Sequence, residues 1–287
     1  MNKTNHTYTY YPGCSLHSTG IEYGLSTQAV FKHLEMELDE LPDWNCCGAS
    51  SAHALNHTLA LALPARNLAL AQEMGHDLVT PCAACFNRMK GVDYVLRNDP
   101  KVREEIETLV GFHYSGELSI RPIMEILYDD FGLEQLARQV KQPLTGLKVV
   151  SYYGCLLVRP PHVVEFDDPD NPQVMTGILR AIGAEVMDWS YSTDCCGAGL
   201  SLSRADIVEK NVSRLAAHAL EAGAAAMVTA CPLCQVNLEM RQTSPQKMPA
   251  FYITELVGMA LGIADTDKWW RKHLIDPRLV LDQAGLS

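Results

Sequence analysis

The sequence predicts an α/β protein made of two pseudo-symmetric duplicated halves, each a small, mostly parallel sheet with flanking helices. Three observations predict it. Ten cysteines fall into two matching sets of five, the residues beside them repeat, and short apolar runs alternate with helical stretches in each half. At 287 residues the chain has room for two domains of about 100–150 residues.

The elements follow in order. Thr7 to Tyr11 and Lys148 to Tyr153 are expected as strands that run straight into Gly-Cys. Helices are expected near Gly20 to Glu35 and Gln173 to Ile182, then second strands at Glu37 to Leu41 and Glu185 to Trp189. Long helices should cover Thr58 to Met74 and Arg204 to Glu221, each stopping before a glycine, Gly75 or Gly223. Asp77 to Thr80 and Ala226 to Thr229 read as third strands, with helices starting at the C-x-x-C pairs that follow. Strand–helix alternation implies mostly parallel pairing. Cys14, Cys82, Cys155 and Cys231 would then gather at the carboxyl ends of strands, where open α/β sheets take ligands. Asp93 to Lys141 reads as a charged helical bridge. The boundary falls at Pro143 to Gly146, dividing residues 1–142 from 143–287, and residues after Trp269 read as a tail packed on the body.

The cysteines are the strongest signal. The first set, Cys14, Cys46, Cys47, Cys82 and Cys85, reads C-x31-CC-x34-C-x2-C. The second, Cys155, Cys195, Cys196, Cys231 and Cys234, reads C-x39-CC-x34-C-x2-C. Adding 149 to the last four positions of the first set lands on a cysteine each time. Tyr11-Pro12-Gly13-Cys14 answers Tyr152-Tyr153-Gly154-Cys155, and Cys46-Cys47-Gly48-Ala49 answers Cys195-Cys196-Gly197-Ala198. The second copy holds eight more residues before its Cys-Cys pair, since Cys155 lies 141 rather than 149 after Cys14.

Composition narrows the function. Lys and Arg number 23 and Asp and Glu 34, a net charge of −11, which argues against a nucleic-acid or anionic-membrane surface. The start, Met1 to Thr9, is polar and lacks the apolar stretch of a signal peptide. The most apolar run, Leu59 to Ala71, contains Pro64 and Arg66 and is too short to span a bilayer. A cytoplasmic protein with no direct membrane insertion is therefore expected. In that setting a patterned cysteine set reads as metal-binding or redox-active rather than as a disulfide framework.

Thiolate is a soft ligand that selects zinc, copper(I) or iron–sulfur clusters. Five cysteines overshoot the four of a structural zinc site. Adjacent cysteines diverge at a single ion but suit a polynuclear cluster, where each reaches a different iron. A fifth thiolate also exceeds what a cubane [4Fe–4S] cluster needs. Two competing readings stay open: a zinc or scaffold protein, and thioredoxin-like redox pairs at Cys82-Ala-Ala-Cys85 and Cys231-Pro-Leu-Cys234. No Gly-x-Gly-x-x-Gly follows a strand, so neither a flavin nor a nicotinamide site is visible.

These motifs resemble the duplicated Cys-Cys-Gly domain of the heterodisulfide reductase B-subunit family over nearly the whole chain. Tyr11 to His17 and Asp43 to His53 resemble its bacterial-type versions. The resemblance implies two noncubane [4Fe–4S] clusters, one on each set of five cysteines given above, which serve as ligands and as the catalytic centre. It implies a cavity between them where a disulfide is cleaved, or thiols or sulfane sulfur oxidised, its sulfurs meeting irons of both clusters. The implied partner subunits are a ferredoxin-like one of the C type and a flavin-bearing one of the A type. The implied substrate is a thiol or disulfide small molecule or a sulfur carrier. Loops after the cysteines would line the cavity, so His17, His53, Arg159 and His162 are candidate substrate residues. The alternative is an electron-transfer subunit of a sulfur-metabolism or succinate/fumarate-type complex, without bond chemistry of its own.

Overall fold

A computed structural model describes residues 7–50 and 52–286. It contains two four-stranded sheets. The first has the order β2-β1-β3-β4, from β1 (Thr7–Tyr10), β2 (Glu37–Glu40), β3 (Leu78–Thr80) and β4 (Ile120–Pro122). The second repeats it as β6-β5-β7-β8, from β5 (Lys148–Tyr152), β6 (Glu185–Val186), β7 (Ala226–Thr229) and β8 (Ala250–Tyr252). All pairings among the described residues are parallel. In each sheet the chain first steps outward, then returns past its first strand. That reversal opens a crevice at the carboxyl ends of the two central strands, and Cys14, Cys82, Cys155 and Cys231 follow those strands.

Local chemistry explains the helix limits. In the helix His57–Met74 the Asn56 side chain accepts from the Leu59 amide at 2.9 Å, and Gly75 closes the other end at φ 72°. The helices Ala83–Asn98 and Pro232–Met240 begin directly after Cys82 and Cys231, as expected. Strands β3, β7 and β8 are buried along their whole length, because helices cover both faces of each sheet.

Two features depart from the sequence reading. The segment expected as a helical bridge contains β4, and β8 is a further edge strand. The helices after these edge strands also cross over. Ile253–Ala260 packs on Ile21–His33 of the first half, with Ser26 and Thr254 hydroxyls 2.7 Å apart in the interior. Residues 123–139 pack on Val174–Ala181 of the second half, where a Cβ at Gly177 would stand 2.8 Å from the Tyr128 ring. Each half thus lends a helix to the other, and the interface between them is part of the core.

The tail packs on the body. Trp269 and Trp270 are each 5% exposed, and the edge of Trp269 fills the space that Gly258 leaves open. The His273 side chain is wholly buried, with Nδ1 2.8 Å from Glu239 and Nε2 3.0 Å from Glu255. Burial alone would lower its pKa, but the Glu255 charge and the hydrogen bonds to both carboxylates raise it to about 11. The imidazolium therefore pins the tail to the two helices that follow β7 and β8.

Candidate metal centre

In each half a tyrosine at the end of the first strand clamps the loop that carries the cysteine pair. Tyr11 Oη donates to Asn45 C=O and Tyr152 Oη to Asp194 C=O, both at 2.8 Å. Asn45 and Asp194 directly precede Cys46 and Cys195. Burial, reinforced by the nearby thiols, pushes both phenols up, so they remain neutral donors.

All ten cysteines are free thiols. Cys47 and Cys85 lie 3.5 Å apart, as do Cys196 and Cys234, and Cys14 and Cys46 stand at 3.7 Å. The Gly48 amide points at Cys46 Sγ (3.4 Å) and the Gly197 amide at Cys195 Sγ (3.2 Å). Hydrogen bonding from Cys14 lowers the pKa of Cys46, and hydrogen bonding from Cys155 lowers that of Cys195. Their partners Cys14 and Cys155 are correspondingly raised. Cys47, Cys82, Cys85, Cys196, Cys231 and Cys234 are buried, Cys46 and Cys155 half-buried, and Cys14 and Cys195 exposed.

The two sets meet. The Ala83 amide, next to Cys82, donates to the carbonyl of Ala230, next to Cys231, at 3.3 Å, and the two thiols lie near enough to perturb each other, Cys82 being pushed up and Cys231 down. Tyr23 and Tyr252 stack next to this contact with ring centroids 4.2 Å apart, and Tyr23 Oη donates to Pro81 C=O.

The residues fit an iron–sulfur group. Among the described residues, no three cysteine, histidine or carboxylate side chains gather as one metal ion requires. The sulfurs stand instead in spaced pairs, without oxygen ligands among them, and amides donate to two of them. Gly13 supplies close backbone approach. Its backbone (φ 74°, ψ 165°) is one that essentially only glycine adopts, and a Cβ there would lie 2.8 Å from Cys85 Sγ. Gly13→Ala should cost about 1–3 kcal/mol of strain and displace Cys85, lowering the iron bound by the first set. Gly75→Ala, with positive φ but nothing within 4 Å of its Cβ, is the control. Equal iron contents in the two variants would contradict this role for Gly13.

The candidate substrate residues are not gathered in one place. His17 lies 5.4 Å from the Trp44 ring and 3.6 Å from Glu40. Arg159 turns to Pro169 C=O and Asp170, and His162 meets Tyr94 edge-on. His53 lines a cleft of about 510 Å³ together with Arg88, and with Pro160 and Val163 of the other half. Sequence reasoning missed Arg88, the Tyr23–Tyr252 stack and the paired glycine amides. Only the amides had a visible signal, the repeated Cys-Cys-Gly.

Comparison with known proteins agrees with this architecture. The model of the cysteine-rich CCG domain matches residues 8–90 and 149–239, more than half of the chain. The chain therefore belongs to the cysteine-rich CCG domain family, and its relatives include the heterodisulfide reductase B subunits that the motifs resemble. One is the B subunit of the ferredoxin/F(420)H(2)-dependent CoB-CoM heterodisulfide reductase of Methanosarcina acetivorans. It is 29% identical over 252 residues, covering 83% of this chain and 84% of the relative. The chain is also 31% identical over 279 residues to the 8-methylmenaquinol:fumarate reductase membrane anchor subunit of Wolinella succinogenes, covering 94% and 97%. A hypothetical protein from Helicobacter pylori shares the fold at a TM-score of 0.73 and 15% identity. That match covers 93% of this chain, which spans about half (51%) of the other. Among the described residues, no helix is long and apolar enough to cross a membrane.

Proposed function

We propose that the chain is the redox subunit of a multi-subunit oxidoreductase. Each five-cysteine set holds a [4Fe–4S] cluster of noncubane type, and a disulfide is reduced, or thiols are oxidised, beside them. The observation that carries this reading is the meeting of the two C-x-x-C loops, where the Ala83 amide beside Cys82 donates to Ala230 C=O beside Cys231. Reducing one disulfide takes two electrons and two protons and releases two thiols. Two one-electron centres on either side of a shared wall are suited to serve one sulfur–sulfur bond. The heterodisulfide reductase names of relatives at 27–29% identity point the same way.

When bound, each cluster supplies a one-electron store and Lewis-acidic iron. The chain's own residues do the rest. Cys14, Cys46, Cys47, Cys82 and Cys85 anchor one group, and Cys155, Cys195, Cys196, Cys231 and Cys234 the other. The Gly48 and Gly197 amides draw charge from sulfur, which raises the reduction potential. Burial keeps water from the inner cysteines, while exposed Cys14 and Cys195 mark the side from which a thiol or disulfide enters. The site halves correspond to residues 1–142 and 143–287. Electrons come from partner subunits, one ferredoxin-like and of the C type, the other flavin-bearing and of the A type.

A second reading, an electron-transfer subunit without bond chemistry, is favoured by the match to the fumarate reductase subunit over 94% of the chain. Electron paramagnetic resonance of the anaerobically purified, partly oxidised protein separates the two. Small thiols should shift the cluster signals if sulfur chemistry occurs here. Signals unchanged by every thiol and disulfide tried would leave only the electron-transfer reading.

A further inference from the structure

Arg88 has no place in the machinery described so far, yet its setting is unusual. Of thirteen arginines in the sequence, twelve form ion pairs with carboxylates. Arg88 is the exception among the described residues, in a chain of net charge −11. It lies three residues after Cys85 on the helix Ala83–Asn98. Its guanidinium is half-buried and senses Cys47 of one set and Cys155 of the other. Nη1 lies 3.0 Å from His53 Nδ1, and Nε is buried without a partner. Burial, then the positive Arg88, lowers the His53 pKa, so the ring is a neutral acceptor that brings the arginine no counter-charge of its own.

This group faces the 510 Å³ cleft between the halves, whose walls include Leu61, Val92, Val95 and Val163. A half-buried, unpaired guanidinium over an apolar wall is a seat for an anion carried on a short hydrocarbon. Arginine binds carboxylate, sulfonate or phosphate oxygens through two parallel N–H groups, and the free Nε is one of that pair.

We propose that Arg88, oriented by His53, binds the anionic group of a small thiol or disulfide whose sulfur end reaches the cysteine sets. The proposal rests on the reading that sulfur chemistry occurs at those sets, and it adds that the substrate is an anion.

The test uses the anaerobically purified, cluster-loaded protein with two probes of similar size, 3-mercaptopropionate and uncharged 2-mercaptoethanol. Binding is measured by isothermal titration calorimetry and cluster perturbation by paramagnetic resonance. Wild type should bind the carboxylate probe at least about tenfold more tightly than the neutral one. Arg88→Gln should abolish that preference while iron content and neutral-thiol binding stay unchanged. Arg88→Lys, which keeps the charge but loses the fork, should retain part of the preference and guards against a folding defect in the first variant. Equal affinities of wild type for the two probes, or a preference that survives in Arg88→Gln, would overturn the anion seat. A calorimetric preference lost in Arg88→Gln, with cluster signals that no thiol perturbs, would instead uphold the anion seat and overturn the sulfur chemistry.

Discussion

Replacing Cys85 with alanine is expected to remove the iron and sulfide of the first set and leave the second set loaded. Cys85 stands 3.5 Å from Cys47 and packs against Gly13, so its loss opens the inner wall of that set. Cluster binding is coupled to folding of the segments that carry the ligands, and a missing inner thiolate forfeits much of that coupling. Iron and sulfide should fall to roughly half in Cys85→Ala and, by the pseudo-symmetry, in Cys234→Ala. The double variant should hold almost none. Metal analysis with paramagnetic resonance of the single variants checks this, because each should keep the signal of the intact half. Complete loss in either single variant would mean one group bridging both sets, for which the junction of the Cys82 and Cys231 loops at Ala83 and Ala230 would be the seam.

The second large effect concerns His273. Its side chain is wholly enclosed between Glu239 and Glu255, themselves 4% and 0% exposed. Removing one partner of a buried ionic group leaves uncompensated charge, so His273→Ala should destabilise by about 3–5 kcal/mol. Thermal unfolding under anaerobic conditions measures it, and a change below about 1 kcal/mol would refute the tail's anchoring role. Adding Glu255→Gln to His273→Ala should restore part of the loss, because the stranded charge goes with it. The pH dependence has a definite sign. The imidazolium is raised from 6.5 to about 11. Its contribution is therefore complete below pH 6.5 and is lost as pH rises towards 11. Neighbouring Glu22 is raised by burial to about 7, so the stability of its neutral form is complete below its unfolded pKa and is lost as pH rises through 7. Glu22 therefore makes wild type weaken between pH 4.5 and about 7 and His273 between pH 6.5 and about 11, where the gap between wild type and His273→Ala should narrow.

The effect reaches the cysteine sets. Glu239 lies on the helix that starts at Cys231, and Glu255 accepts from the Tyr252 amide at 2.8 Å. Tyr252 stacks on Tyr23, which holds the carbonyl before Cys82. The tail thus braces both C-x-x-C loops from behind.

Much of this was legible in the sequence because cysteine spacing survives duplication and apolar runs survive burial. The strands that lead to Cys14, Cys82, Cys155 and Cys231 stand out because each is a short run rich in aromatic or β-branched residues, followed by a cysteine with Gly or Pro beside it. Strands β4 and β8 were missed because each is three residues long and, unlike the equally short β3, is not followed by a cysteine. In β4, Pro122 argues against a central strand and is tolerated because β4 is an edge. The exchange of helices 123–139 and Ile253–Ala260 between halves left no trace, since an apolar face does not say which half it covers. Arg88 was invisible for a related reason. One arginine on a helix is ordinary until the other twelve are seen to be paired.

The central claim, two polynuclear iron–sulfur groups on ten cysteines, meets its most direct test in metal and sulfide analysis of the anaerobically purified chain. The expected result is about eight iron and eight sulfide per chain, with negligible zinc. Stoichiometric zinc without sulfide, or ten cysteines that remain metal-free after anaerobic reconstitution, would contradict it.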